Sequence, residues 1–132
     1  MTGVQTCALP IFAWLDRQPA DSIWITSITL FESRLGLALL PAGRRRQLLE
    51  AAFDRLLIDD LENRVLDFDS AAANQAAALA GERQAAGRPV DMRDTQIAGI
   101  ALARRATLAT RNLRHFEDLR VPVVDPWNAE GG

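Results

Sequence analysis

The chain has 132 residues, 48% hydrophobic and 24% charged, which is typical of one globular domain with its own core. Its net charge of −2 argues against a protein that coats nucleic acid through overall positive charge, so any such contact must come from local arginine clusters. The single cysteine, Cys7, excludes an intramolecular disulfide. No apolar run approaches the roughly 18 residues of a membrane span, and we therefore expect a cytoplasmic protein.

The N-terminal segment, residues 1–11 (MTGVQTCALPI), has neither a helical nor a strand period and joins a regular domain abruptly at Phe12. We predict that it is non-native, a translated sequencing adapter at a broken gene end; a natural irregular strand is the alternative. The domain would then span residues 12–127, and residues 128–132 would form a flexible tail.

The first half of the domain begins with the end of a helix at residues 12–17 and a turn at residues 18–21. Residues 22–28 are rich in β-branched and aromatic residues and are predicted as a strand, which leads into a helix over residues 29–40. A second helix starts after Pro41. It carries a continuous apolar stripe that would pack against the preceding helix or a partner chain, made of Leu48, Leu49, Ala52, Phe53, Leu56 and Leu57.

The second half of the domain continues the alternation of strands and helices. Residues 64–69 are predicted as a strand, and Asp69 or Ser70 caps an alanine-rich helix that Gly87 ends. A further helix carries Asp94 in its first turn, and short strands follow at residues 106–110 and 121–124. This order predicts an α/β fold with a mainly parallel sheet flanked by helices.

Asp94 is the first candidate for a functional residue, because open α/β sheets place their sites beside helix N-termini at the carboxyl ends of strands. With a second carboxylate, for which Glu32 is the best candidate, it could hold a divalent cation. Both acids have structural alternatives. Glu32 could complete a capping box with Thr29, and the residues alone favour this role. Asp94 could interact favourably with the helix dipole. Asp91 is predicted to cap the Asp94 helix.

With these residues placed, the chain resembles PIN-domain proteins, and within them the VapC-type toxin nucleases of bacterial toxin–antitoxin pairs. The resemblance runs from about Phe12 to Trp127. The matching stretches are residues 27–36 (SITLFESRLG), 39–44 (LLPAGR), 87–89 (GRP), 94–98 (DTQIA), 108–112 (LATRN) and 124–127 (VDPW).

The resemblance implies a PIN-like three-layer sandwich and metal-dependent cleavage of RNA with Mg²⁺ or Mn²⁺. It makes Glu32 and Asp94 catalytic acids and metal ligands, with Asn112 as a further ligand. It also implies an antitoxin partner and a homodimer formed through the helices around residues 29–57. The candidate contacts to RNA are Arg93, Arg111, Arg114 and His115.

Other interpretations of these polar residues stay open. Asn112 could equally be a turn residue, and a packing or solvated role is favoured for His115. Arg44–Arg46 is favoured as a solvated helix start over an RNA or antitoxin contact.

One departure from the family pattern affects the expected activity. The family opens with a strand that ends in an aspartate, and residues 1–11 stand in its place here. We therefore expect the first strand to be missing or replaced, and expect the chain to cleave RNA weakly or not at all. The alternative function is a catalytically dead PIN-fold remnant that binds an antitoxin or another partner. A receiver-like phospho-acceptor module ranks last, because the chain has no lysine.

Overall fold

The computed structural model describes Arg17, residues 23–110 and residues 113–124. Several predictions lie outside these residues: the non-native segment at 1–11, the helix end before Arg17, the turn at 18–21 and the tail at 128–132.

The described residues alternate between short strands and helices, as predicted. The strands are β1 (Ile25–Thr26), β2 (Val65–Leu66), β3 (Leu108–Ala109) and β4 (Val123–Val124). The α-helices are α1 (Ser27–Ala38), α2 (Arg44–Arg55), α3 (Ser70–Ala85) and α4 (Met92–Arg104). Strand β1 pairs with β2 and β3 pairs with β4, both in parallel, which confirms the α/β class with parallel pairing.

Helix α1 begins two residues earlier than predicted and shortens the strand before it. The side chain of Thr26 accepts a hydrogen bond from the backbone N–H of Thr29 at 3.0 Å and so caps the helix at Ser27. The capping-box interpretation of Glu32 is therefore wrong, because Thr29 lies inside the helix. Glu32 lies in the second turn and its carboxylate is not used at the helix start.

Helix α2 continues into a π-helical turn, Leu56–Asp60. Its apolar stripe packs only in part. Leu57 is buried, whereas Leu48 is 59% exposed and Leu49 and Leu56 are about 40% exposed. An ion pair at 2.7 Å between Arg34 of α1 and Asp54 of α2 joins the two helices. The preceding helix therefore does not cover the stripe in this chain.

Helices α3 and α4 form the most extensive contact between helices of the described residues. Asp69 caps α3 by accepting from the N–H of Ala72, and Gly87 follows its end with φ of +72°, as predicted. The helices approach closely at Gly99: a Cβ added there would lie 2.5 Å from the carbonyl oxygen of Ala72. Small side chains thus set the distance between them.

The core is built on this helix pair. Leu79 of α3, Ala98 of α4 and Phe116 are buried together, and partly buried residues complete the cluster, namely Leu102, Leu108, Leu119 and Val123. Phe116 closes a 3₁₀ turn, Leu113–Phe116, which lies between the strands predicted at residues 106–110 and 121–124. None of the described helices is both long and apolar enough to cross a membrane.

Candidate functional site

Asp94 lies in the first turn of α4, as predicted, and the turn is capped by Asp91. The Asp91 side chain accepts a hydrogen bond from the backbone N–H of Asp94 at 2.9 Å, which confirms Asp91 as the cap. The Asp94 side chain is about one-fifth exposed and faces the positive end of the helix dipole.

His115 is the side chain that the structure brings to Asp94. It lies in the 3₁₀ turn, 21 residues further along the chain, and its Nδ1 is 2.6 Å from Oδ2 of Asp94. More than half of the His115 side chain is exposed. The predicted packing or solvated role is thus incomplete, because the imidazole directly contacts the candidate acid.

Glu32 lies on α1, which contacts α4. Its carboxylate is 3.4 Å from Nη1 of Arg93, the residue before Asp94, and the Arg93 guanidinium lies over the Phe31 ring at 5.5 Å from its centroid. The two candidate acids are therefore held by neighbouring parts of the fold. Each has its own partner, Arg93 for Glu32 and His115 for Asp94.

A cavity of about 250 Å³ opens beside Asp94 and His115. Asp94 lines it and Glu32 does not. The remaining lining side chains are Arg83, Arg88, Pro89, Asp91, Arg114 and His115. Three arginines line the cavity with two aspartates, and two of them, Arg83 and Arg88, are also paired with Asp118. Arg114 is thus the lining arginine best placed to meet an anionic ligand close to the carboxylate of Asp94.

The donor chemistry suits a hard divalent cation, because Glu32 and Asp94 both offer carboxylate oxygens. Among the described residues, however, no group of three or more His, Cys, Asp or Glu side chains converges closely enough to hold a metal ion. Asn112 and Arg111 lie outside the described residues. The described residues alone thus supply two separate carboxylates and not a complete ligand set.

Arg83 was not among the predicted site residues, although it organises the surroundings of Asp94. It is only 4% exposed and donates two hydrogen bonds of 2.9 Å to the carboxylate of Asp118. It also donates to the carbonyl oxygen of His115 at 2.7 Å and to Oγ1 of Thr95 at 3.3 Å. The signal for its burial was in the sequence, because the helical period of Ala72, Ala76 and Leu79 continues to position 83.

The charge state of this cluster follows from its contacts. The hydrogen bonds from Arg83 hold the pKa of Asp118 below its ordinary value. The bonds to Asp118 raise the pKa of Arg83, and the charge of Asp94 adds to this. Arg83 and Asp118 therefore form an ion pair next to the site, and each partner stabilises the charged form of the other.

The remaining candidate arginines differ in their surroundings. Arg114 is exposed at the cavity wall. Arg88 lies 3.5 Å from Glu117 and 3.6 Å from Asp118. At the start of α2, Arg44 and Arg45 are exposed and Arg46 pairs with Glu50, as favoured for a solvated helix start.

The fold and this site define an α/β protein with parallel strand pairs and an acid, Asp94, in the first turn of a helix. Sequence comparison gives the class of this protein. The pattern of the PIN domain family matches residues 8–121. The chain therefore belongs to the PIN domain family, which confirms the resemblance found in the sequence.

Three curated relatives cover nearly the whole chain. The plasmid stability protein StbB of Pseudomonas syringae pv. tomato is 37% identical over 90% of the chain and 86% of its own length. The VapC ribonuclease Y4jK of Sinorhizobium fredii is 32% identical over 89% and 84%, respectively. The toxin FitB of Neisseria gonorrhoeae is 30% identical over 89% and 85%. The chain is thus similar to VapC-type PIN proteins, as the resemblance implied.

Solved structures agree with this family assignment. The structure of FitAB bound to an IR36 DNA fragment matches with a TM-score of 0.81 and 30% identity, covering 89% of this chain and 82% of the other. DNA-bound VapBC from Salmonella typhimurium matches with a TM-score of 0.75 and 30% identity, covering 95% and 92%. The PIN-like fold is therefore shown by two structures of relatives bound to DNA.

Proposed function

We propose that this protein is a metal-dependent endoribonuclease that acts as the toxin of a toxin–antitoxin pair. The observation that carries the proposal is the position of Asp94, which lies at a helix N-terminus beside an arginine-lined cavity in a PIN fold. The names of the relatives, a VapC ribonuclease and a toxin, support the same activity. Such a toxin would act on RNA in the cytoplasm.

The candidate acids would serve the reaction as ligands of Mg²⁺ or Mn²⁺. We propose that Glu32 and Asp94 hold the cation, with Asn112 as a further oxygen ligand. When bound, such a cation activates a water molecule and neutralises charge that develops on the phosphate. Arg93 and Arg114, together with Arg111, would hold the RNA backbone, because a guanidinium can bind two phosphate oxygens at once.

The exposed position of His115 suits a contact with the substrate. Its ring lines the cavity while one nitrogen contacts Asp94, so the other nitrogen is available on the far side of the ring. We propose that this nitrogen contacts a phosphate or ribose group of the bound RNA.

Two protein partners belong to the proposal. FitAB and VapBC are each named as two components, which supports an antitoxin as the partner of this chain. A homodimer through α1 and α2 would cover apolar side chains that this chain leaves exposed. These are Phe31, Leu39, Leu48, Leu49 and Leu56.

A second candidate function is a PIN-fold remnant that binds an antitoxin without cleaving RNA. It is favoured by the pairing of both acids with partners of their own and by the lack, among the residues described, of a group of three or more acidic, histidine or cysteine side chains that could hold a metal ion. The two functions share the fold and the partner and differ only in whether RNA is cut.

The test is RNA cleavage by the whole chain with Mg²⁺ or Mn²⁺, compared with EDTA. Because residues 1–11 stand in place of the family's first strand and its aspartate, we expect cleavage with the cation to be weak or absent. We expect Asp94→Asn and Glu32→Gln each to reduce any cation-dependent cleavage by about 100-fold or more, because each loses a cation ligand. Glu82→Gln is the matched control, since this exposed acid pairs only loosely with Arg120, at 3.7 Å. Antitoxin binding without any cleavage would favour the remnant, and cleavage that survives both acid substitutions would contradict the assigned site.

A further inference from the structure

Arg83 is unusual because its charge is buried in a helix made largely of alanine. Only 4% of the residue is exposed, and the alanine and leucine side chains on the same face pack into the core. A buried guanidinium is unfavourable unless it is paired and its N–H groups are used. The carboxylate of Asp118 meets the charge requirement by itself through two hydrogen bonds.

The other two hydrogen bonds of Arg83 go beyond charge pairing. One reaches the carbonyl oxygen of His115 and the other reaches Oγ1 of Thr95, the residue that follows Asp94. Thr95 in turn donates its hydroxyl proton to the carbonyl oxygen of Asp91 at 2.7 Å. One guanidinium therefore holds the 3₁₀ turn that carries His115 and the first turn of α4 that carries Asp94.

We infer that Arg83 is a positioning residue that fixes the Asp94 carboxylate and the His115 imidazole relative to each other. Its catalytic consequence rests on the proposed ribonuclease function. Arg83 does not contact Glu32 or the exposed face of His115. It acts through the backbone carbonyl of His115 in one segment and through the side chain of Thr95 in the other.

Arginine is required for this role because three of its nitrogens point to three different acceptors. Nε and Nη2 bind Asp118, Nη2 also binds the His115 carbonyl, and Nη1 binds Thr95. A lysine places all its donors on one nitrogen and cannot reach all three acceptors in this geometry. Arg83→Lys therefore keeps the charge that Asp118 needs while releasing at least one of the two segments.

The test uses the fact that His115 is the only histidine in the chain. The imidazole ¹⁵N NMR signals of the full-length protein report on this one ring, and Asp94→Asn gives the reference for a ring without its carboxylate partner. We expect Arg83→Lys to move the Nδ1 signal towards that reference. If the wild-type chain cleaves RNA, we expect kcat to fall by about 100-fold, since misplacing reacting groups by about 1 Å has that effect.

Arg104→Lys is the matched control. Arg104 also links α3 and α4, through Asp69, but it lies at the opposite end of α4 from Asp94. We expect this variant to leave the His115 signal and cleavage unchanged. Circular dichroism measures the folded fraction of every variant, so that global unfolding is not mistaken for a local displacement of His115 from Asp94.

The result that would overturn the inference is a folded Arg83→Lys protein whose His115 signal equals that of the wild type. If Arg83→Lys does not fold, Thr95→Val replaces it, because this variant removes the acceptor that links Arg83 to the first turn of α4 and leaves the pair of Arg83 and Asp118 in place. An unchanged His115 signal in a folded Thr95→Val protein would also overturn the inference. The NMR result does not depend on cleavage. A wild-type chain that cuts no RNA would refute the proposed function alone.

Discussion

Asp118 and Asp69 are the acids whose surroundings most clearly favour the ionised form. Hydrogen bonds from Arg83 lower the pKa of Asp118, and the backbone N–H of Ala72, followed by Arg104, lowers the pKa of Asp69. Both acids therefore bind protons less readily in the folded chain than in the unfolded chain. Their contribution to stability is complete above the ordinary pKa of about 4 and is lost as the pH falls below it.

We predict that Asp118→Asn lowers the free energy of unfolding at pH 7 by about 3 kcal/mol, because it leaves the buried Arg83 without its counter-charge. The variant should also lose less stability than the wild type between pH 5 and about pH 3, since the titrating group is gone. Urea denaturation of the variant and the wild type at pH 7, pH 5 and about pH 3 measures these free energies of unfolding.

The control for this variant is Asp54→Asn, which removes an ion pair whose two side chains are about half exposed. It should cost less than about 1 kcal/mol. Equal losses in the two variants, or parallel pH profiles for Asp118→Asn and the wild type, would contradict the prediction.

Residues with local roles were predicted well, and those with distant partners were not. Asp91 and Gly87 act on backbone groups within a few positions, so the sequence alone identified the cap and the helix end. The capping box considered for Glu32 was the exception, because Thr26 and not Thr29 caps α1. The network of Arg83 joins residues 12 to 35 positions away, and only the tertiary fold reveals it.

At the level of elements, the contact between α3 and α4 depends on the absence of a side chain at Gly99. An added Cβ would lie 2.5 Å from the Ala72 carbonyl oxygen and 2.7 Å from the Ala76 Cβ. Backbone atoms are among the obstacles, so a rotamer change alone cannot relieve the overlap. The two helices would have to move apart.

We predict that Gly99→Ala destabilises the fold by about 1–3 kcal/mol, as is usual for overpacking a core. Gly81→Ala is the matched control, because it is also a helical glycine and nothing lies within 4 Å of its added Cβ. It should stabilise the protein by about 0.5–1 kcal/mol. Thermal unfolding of both variants tests these two predictions. A shift of the melting temperature in the same direction in both variants would refute them.

The helices of the described part were predicted more accurately than the strands. Each helix has a periodic apolar face or a cap that can be recognised locally, whereas every strand is only two residues long. The positions of such short strands are determined by the packing of the helices on either side and not by strand propensity. Their parallel direction was nevertheless predictable, because helices separate them along the chain.

At the scale of the whole molecule, the exposed apolar side chains on and next to α1 and α2 form the surface on which the proposed homodimer would rest. Phe31, Leu39 and Leu48 are between 55% and 75% exposed. Soluble monomers seldom expose large contiguous apolar areas. The small net charge of −2 gives little repulsion between copies of the chain.

We predict that Leu48→Glu weakens self-association, because it would place a charge in the proposed homodimer contact. Light scattering coupled to size-exclusion chromatography measures the mass directly. Met92→Glu is the control, since this side chain is 65% exposed on α4, outside the α1–α2 surface. A wild-type chain that stays monomeric at high micromolar concentration would contradict the homodimer, and the antitoxin would then be the partner expected on this surface.

The close approach of α3 and α4 also bears on how the chain acquires its fold. Residues 86–91 alone connect the two helices, so bringing them together costs little loop entropy. Pairing β1 with β2 instead requires residues about forty positions apart to meet, which slows formation of that contact. We therefore expect the contact between α3 and α4 to form first during folding, and we expect the parallel strands to pair after it.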